Sequence, residues 1–118
     1  MAIILAVEPD KKELEQLTAA LSSLHPECEV LAYSDPMLAF QYAYNHPVKS
    51  VYAAAAMKRV DGFRLAKMLR EISDGIAVYL IGEDETYRRD AKRLTLDGYL
   101  IRPVTPEAIR AEENAEEW

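Results

Sequence analysis

Short apolar runs recur along this chain at intervals too long for hairpins, and that spacing restricts the fold more than any other feature. The first run, Ala2 to Val7, contains no polar residue. A strand with one solvated face alternates apolar and polar side chains, whereas one covered on both faces reads as a continuous hydrophobic run. Comparable runs, with few polar interruptions, follow at Cys28 to Tyr33, Val48 to Ala54, Ile76 to Ile81 and Gly98 to Ile101.

Each interval carries helix signals. Asp10 is placed to cap a first helix with Leu14, Leu17, Leu21 and Leu24 on one face, ended by His25-Pro26. Ser34-Asp35-Pro36 opens a second, with Pro at the first helical position and Leu38, Ala39, Tyr42 and Ala43 on its apolar side until His46-Pro47. Asp61-Gly62 opens a third with Leu65, Met68, Leu69 and Ile72 inward, and Asp74-Gly75 turns into the fourth strand. A short, highly charged fourth helix is predicted from Asp84 to Leu94. Arg102-Pro103 breaks the last strand, and Thr105-Pro106-Glu107 opens the fifth helix. Strands alternating with crossover helices predict an α/β domain spanning residues 1–118, a doubly wound parallel sheet with right-handed connections and helices on both faces.

Composition narrows the function classes. At 118 residues and 50% hydrophobic content the chain supports one core without staples. Its single Cys28 rules out an intrachain disulfide, reads as a packing residue, and belongs to no His/Cys set with zinc spacing. The N-terminal run lacks a basic flank and is too short for a signal or a membrane span, so a cytoplasmic protein is expected. The net charge of -6 speaks against direct nucleic-acid binding. Charge is unevenly placed: Lys58, Arg59, Arg64, Lys67, Arg70, Arg88, Arg89, Lys92 and Arg93 lie in the second half, whereas the last residues carry Glu107, Glu112, Glu113, Glu116 and Glu117 against Arg110.

In parallel α/β proteins chemistry collects at the carboxyl ends of strands. The third strand here ends in Ala53-Ala54-Ala55-Ala56, methyl groups where an acid, a hydroxyl or a phosphate loop is expected. The flanking punctuation, Met57 and then Asp61-Gly62, is that of a catalytic loop. With the ending Gly98-Tyr99-Leu100-Ile101-Arg102-Pro103-Val104-Thr105-Pro106, it resembles the receiver domain of bacterial two-component response regulators over about Ala2 to Arg110. The ending resembles receivers of multidomain transcriptional regulators, in which an output domain follows.

The resemblance implies a flavodoxin-like fold with strand order 2-1-3-4-5 and a phosphorelay role. In that family an aspartate accepts a phosphoryl group, two acids hold Mg²⁺, and a hydroxyl and a lysine bind the product. The matching positions here are Ala54 for the acceptor, Glu8 and Pro9 for the acids, Gly82 for the hydroxyl and Arg102 for the lysine. The resemblance therefore implies a pseudo-receiver without catalytic residues, metal or cofactor, in which Arg102 pairs with Glu8 as a partly exposed ion pair across the emptied pocket. Tyr99 stands where receivers carry a switch aromatic, and reads equally as an interface or a core residue.

Three function classes are open on these residues. The leading one is a non-enzymatic signalling module acting through protein contacts without phosphorylation. The second is an active phosphoacceptor using Glu8, Asp10 or Asp61, and the third a small-ligand binder, disfavoured by the lack of Gly-rich loops. His25 and His46 read as surface residues at helix ends. Glu83-Asp84-Glu85 reads as a solvated loop, and Lys58-Arg59 as a solvated loop able to attract an anion. A weak two-fold dimer is expected through the fourth helix, fifth strand and fifth helix. It would set Arg88, Arg89, Lys92 and Arg93 against Glu107, Glu112, Glu113 and Glu116, with Tyr99 and Leu100 near its centre.

Overall fold

The computed structural model describes residues 1–115. They form β1 (Ile3–Val7), α1 (Lys11–Leu24), β2 (Glu29–Tyr33), α2 (Pro36–Asn45), β3 (Ser50–Ala54), α3 (Gly62–Ile72), β4 (Ala77–Gly82), a 3₁₀ turn (Glu85–Tyr87), α4 (Arg88–Arg93), β5 (Gly98–Ile101) and α5 (Pro106–Glu113). The strands make one parallel sheet in the order β2-β1-β3-β4-β5. This is the flavodoxin-like α/β architecture that the apolar runs and the resemblance imply.

Because side chains alternate across a strand, each run feeds two cores. Leu5, Val7, Val51, Ala53, Val78, Leu80 and Tyr99 point to the face covered by α2, α3 and α4, where Ala39, Leu65, Leu69 and Ala91 meet them. Ile4, Ala6, Tyr52, Tyr79, Ile81 and Leu100 point to the other face, against Leu17, Leu21 and Ile109 of α1 and α5. Four helices start on side-chain caps. Asp10 accepts the Glu13 N–H at 2.9 Å, Asp35 that of Met37 at 2.9 Å, Asp61 that of Arg64 at 2.8 Å and Thr105 that of Ala108 at 3.1 Å. Among the described residues no helix is long and apolar enough to cross a membrane.

The fourth helix departs from expectation. Instead of one helix over Asp84 to Leu94, the Asp84 carboxylate caps the Thr86 N–H at 2.9 Å, a 3₁₀ turn follows, and α4 is only six residues long. Cations at 88, 89, 92 and 93 repel one another at helical spacing, and only Ala91 of this helix is buried. Neither propensity nor packing extends it. The helix ends at Arg93 with Leu94 as its cap, and the next residue, Thr95, has a left-handed φ of 53°.

Leu100 and Tyr99 are 3% and 0% exposed, so neither lies at the surface of this chain as a contact at the centre of a dimer face. Both are inward core residues. Glu116 and Glu117 lie outside the described residues.

Gly62 is required where the loop after β3 turns back. Its N–H donates to the Ala55 carbonyl at 3.0 Å, and a Cβ there would collide with the Ala54 carbonyl and Leu80. Gly75 has nothing nearer than Ser73 Oγ at 3.5 Å. Gly62→Ala should therefore cost about 1–3 kcal/mol through overpacking, and Gly75→Ala should stay within about 0.5 kcal/mol of the parent, both read from denaturant midpoints at a common slope.

Candidate functional site

The carboxyl ends of β1, β3, β4 and β5 converge, and an open cleft of about 500 Å³ lies over them. Glu8, Asp10, Glu13, Gly82, Glu83, Asp84 and Arg102 are among its lining residues. Ala54 does not reach it: the residue is 1% exposed at the end of β3, and Ala56 lines the cleft instead. Pro9 faces a neighbouring groove of about 680 Å³ with Asp10, Asp35, Lys58 and Arg59. The five positions singled out from the sequence are thus brought to one end of the sheet, but only Glu8, Gly82 and Arg102 line the cleft.

Arg102 organises it. Its Nη2 donates to Glu8 Oε1, its Nε to Glu13 Oε2 at 3.0 Å, and its Nη1 to Glu83 Oε1 at 2.9 Å. The other oxygen of Glu8 accepts the Asp10 N–H at 2.9 Å. The Arg102–Glu8 pair is present and partly exposed, as expected: the Glu8 side chain is buried at 7% accessible and that of Arg102 half-buried at 15%. Burial works against the guanidinium charge, and hydrogen bonding and charge from Glu8, with Glu83 and Glu13, outweigh it, so the Arg102 pKa is raised. The Glu8 carboxylate is buried, and a buried charge is stable only while its hydrogen-bonding capacity is met.

A divalent cation of the kind receivers bind does not fit these residues. Mg²⁺ demands octahedral oxygen ligands and is bound through one or two carboxylates. Pro9 and Ala54 offer no side-chain oxygen, and the Glu8 carboxylate is held by Arg102 and the Asp10 amide.

Tyr99 lies over Gly82. Its hydroxyl donates to the Asp84 carbonyl at 2.5 Å, and its N–H to Glu112 Oε1 at 3.0 Å. The Arg88 guanidinium sits 5.3 Å from the ring centroid. A Cβ at residue 82 would collide with the Tyr99 hydroxyl. Gly82 is therefore what gives the inward ring its place. Burial raises the Tyr99 pKa, and Asp84 and Glu85 add to it.

Several charges expected at a dimer face are occupied inside the chain. Arg88 donates to Glu85 at 2.5 Å and lies 3.8 Å from Glu112, and Arg93 lies 4.0 Å from Asp90. Glu113 accepts from the Tyr52 hydroxyl and from His25 Nε2, the latter at 2.9 Å. Arg89, Lys92 and Glu107 remain exposed. His25 is thus no idle surface residue but is 17% accessible and anchored on α5. Sequence reading missed this because the partners lie 88 positions apart. The usable signal was the pair of acids at 112 and 113, on the face of α5 where an apolar residue is expected.

The comparisons agree with this geometry. No protein-family model and no curated protein matches the sequence. Among solved structures, a response regulator receiver domain protein of Clostridium thermocellum is 20% identical over 97% of this chain and 92% of its own, with a TM-score of 0.83. The chemotaxis protein CheY4 of Vibrio cholerae is 19% identical over 94% of both chains, with a TM-score of 0.81. The receiver domain of a Pseudomonas aeruginosa sensor histidine kinase, which holds a magnesium ion in its active-site cleft, is 18% identical over 93% of this chain and 92% of its own, with a TM-score of 0.79.

The site also makes an alkaline prediction. Tyr52 and Tyr79 stack at 4.5 Å between centroids beneath α5. Burial first, and then the charge of Glu113, pushes the Tyr79 phenol up to about 12, and Tyr52 is raised by burial and its hydrogen bond to Glu113. The unfolded chain ionises at the ordinary value of about 10, so the stability these groups contribute is whole below that pH. It is lost as pH rises through the folded-state value of about 12 for Tyr79. Denaturant midpoints should fall in that window, less steeply in Tyr79→Phe, and phenolate absorbance should appear in step with unfolding. The chain has the fold of the response regulator receiver domains, carried on a strand-end site of different composition.

Proposed function

We propose that the protein is a receiver-like signalling module that works through protein–protein contacts, without phosphorylation and without enzymatic activity of its own. The observation that carries this reading is the Glu8–Arg102 ion pair beside a buried Ala54. The carboxylate left at the acidic position already has a cation, and the acceptor position ends in a methyl group. The inward Tyr99 supports it: Asp84 accepts from the hydroxyl, Arg88 lies over the ring and Glu112 accepts from the backbone N–H, with no phosphoryl group needed to draw the ring in.

Other acids are poor substitutes for the acceptor. Asp10 and Asp61 cap α1 and α3, and Glu8 is buried against Arg102. Incubation with acetyl phosphate and Mg²⁺ followed by intact-mass measurement should leave the mass unchanged. A stoichiometric phosphoryl adduct would favour the active-phosphoacceptor reading instead.

The contact surface we assign is the α4–β5–α5 face, where Arg89 and Lys92 stand exposed on one helix and Glu107 on the other. A two-fold axis through that face makes it self-complementary, and rim charges of this kind are screened by salt. Light scattering should show a weak dimer at low ionic strength that dissociates in high salt and is abolished by Arg89→Glu/Lys92→Glu. A monomer at low salt defeats the assignment.

A further inference from the structure

The turn between α1 and β2 lies at the end of the sheet opposite the Arg102 cleft, and it gathers three chemically different donors. The Cys28 N–H donates to the His25 carbonyl at 3.0 Å, closing His25-Pro26-Glu27-Cys28 into a β-turn. One ring nitrogen of His25, a carboxylate oxygen of Glu27 and the thiol of Cys28 all lie within 4.8 Å of one another. The sequence spacing had suggested no metal set here, since a single turn supplies all three donors.

The second ring nitrogen supplies an independent observation. His25 Nε2 faces both oxygens of Glu113, at 3.0 and 2.9 Å, and therefore carries the proton. In the neutral ring this leaves Nδ1 as the lone-pair nitrogen. Nδ1 faces Glu27 Oε2 at 3.5 Å, and the Cys28 thiol donates to the same oxygen at 3.5 Å. A cation replacing the thiol proton would meet the ring nitrogen, the carboxylate and the sulfur at once, since all three already lie within 4.8 Å of one another. Glu113 is itself fixed by the Tyr52 hydroxyl from the core, so a carboxylate orients the imidazole as in metal-bound histidines.

We propose that the His25–Cys28 turn binds a borderline-soft divalent transition metal, with Zn²⁺ the best match, through His25 Nδ1, the Glu27 carboxylate and the Cys28 thiolate. Imidazole and thiolate select such an ion over Mg²⁺ or Ca²⁺, and three protein ligands leave a fourth tetrahedral position for water or an outside group. The Glu27 side chain is 65% accessible and free to close onto the ion. The free Cys28 thiol carries the proton that it donates to Glu27. Binding forms the metal–sulfur bond and releases that proton to solvent.

The test uses the full chain. Zn²⁺ affinity is measured by competition with a chromogenic chelator, and Co²⁺ serves as a spectroscopic probe of the thiolate. The expected result is one Zn²⁺ per chain, affinity that rises with pH, and a sulfur-to-cobalt charge-transfer band that Cys28→Ser removes. Glu27→Gln, an exposed change that leaves the core untouched, should weaken Zn²⁺ binding at least tenfold. Glu113→Gln should weaken it by about 10- to 100-fold. Absence of stoichiometric Zn²⁺ binding, an affinity indifferent to Cys28→Ser, or equal uptake of Mg²⁺ would overturn the proposal in favour of an imidazolium lying between Glu27 and Glu113. None of these readouts depends on the acetyl phosphate result.

Discussion

The Arg102 guanidinium is the joint on which the functional end of this protein depends. It follows β5, yet its partners come from the end of β1 (Glu8), from α1 (Glu13) and from the loop after β4 (Glu83). A single planar fork thereby ties together segments that border the end of β3. Arginine suits this better than lysine because its five donors point in fixed directions and stay charged at any relevant pH. The cost of burying it is offset only while the carboxylates are present, so Glu8 and Arg102 stand or fall as a pair.

The second constraint is steric and depends on the first. Backbone donation from Arg102 N–H to the Gly82 carbonyl at 3.0 Å holds β5 against β4 at the rim of the cleft. Within that frame Tyr99 turns inward beside Gly82, where a β-carbon would meet its hydroxyl. An aromatic that switches needs two wells of similar energy. Here the inward well has a hydrogen bond at each end of the residue and a cation over the ring, so its population is set by the fold.

Much of this was legible because it is local. The five apolar runs, the caps at Asp10, Asp35, Asp61 and Thr105, and the Pro and Gly punctuation each act within a few residues, and the observed elements fall where those signals place them. That residue 54 ends in a methyl group is a matter of residue identity. The division of the fourth helix was not legible, since it turns on a cap at Asp84 competing with a run of cations that packing does not rescue. Nor were the roles of Glu112 and Glu113. Acids at helical spacing look like solvent charges until the fold brings the Tyr99 amide, the Tyr52 hydroxyl and His25 against them. Such long-range polar pairs leave no period in the sequence.

The substitutions at the cleft make physical sense only together. Glu8, longer than an aspartate, reaches both Arg102 and the Asp10 amide. Arg102, longer and broader than a lysine, spans to Glu13 and Glu83 as well. Pro9 and Ala54 bring no carboxylate, so the acids that meet Arg102 are Glu8, Glu13 and Glu83. Gly82 gives up a hydroxyl and makes room for Tyr99. Among the described residues the buried side-chain polar atom without a partner is Arg70 Nε, on α3 and away from this cleft. A site whose polar groups satisfy one another needs no ligand to hold its shape.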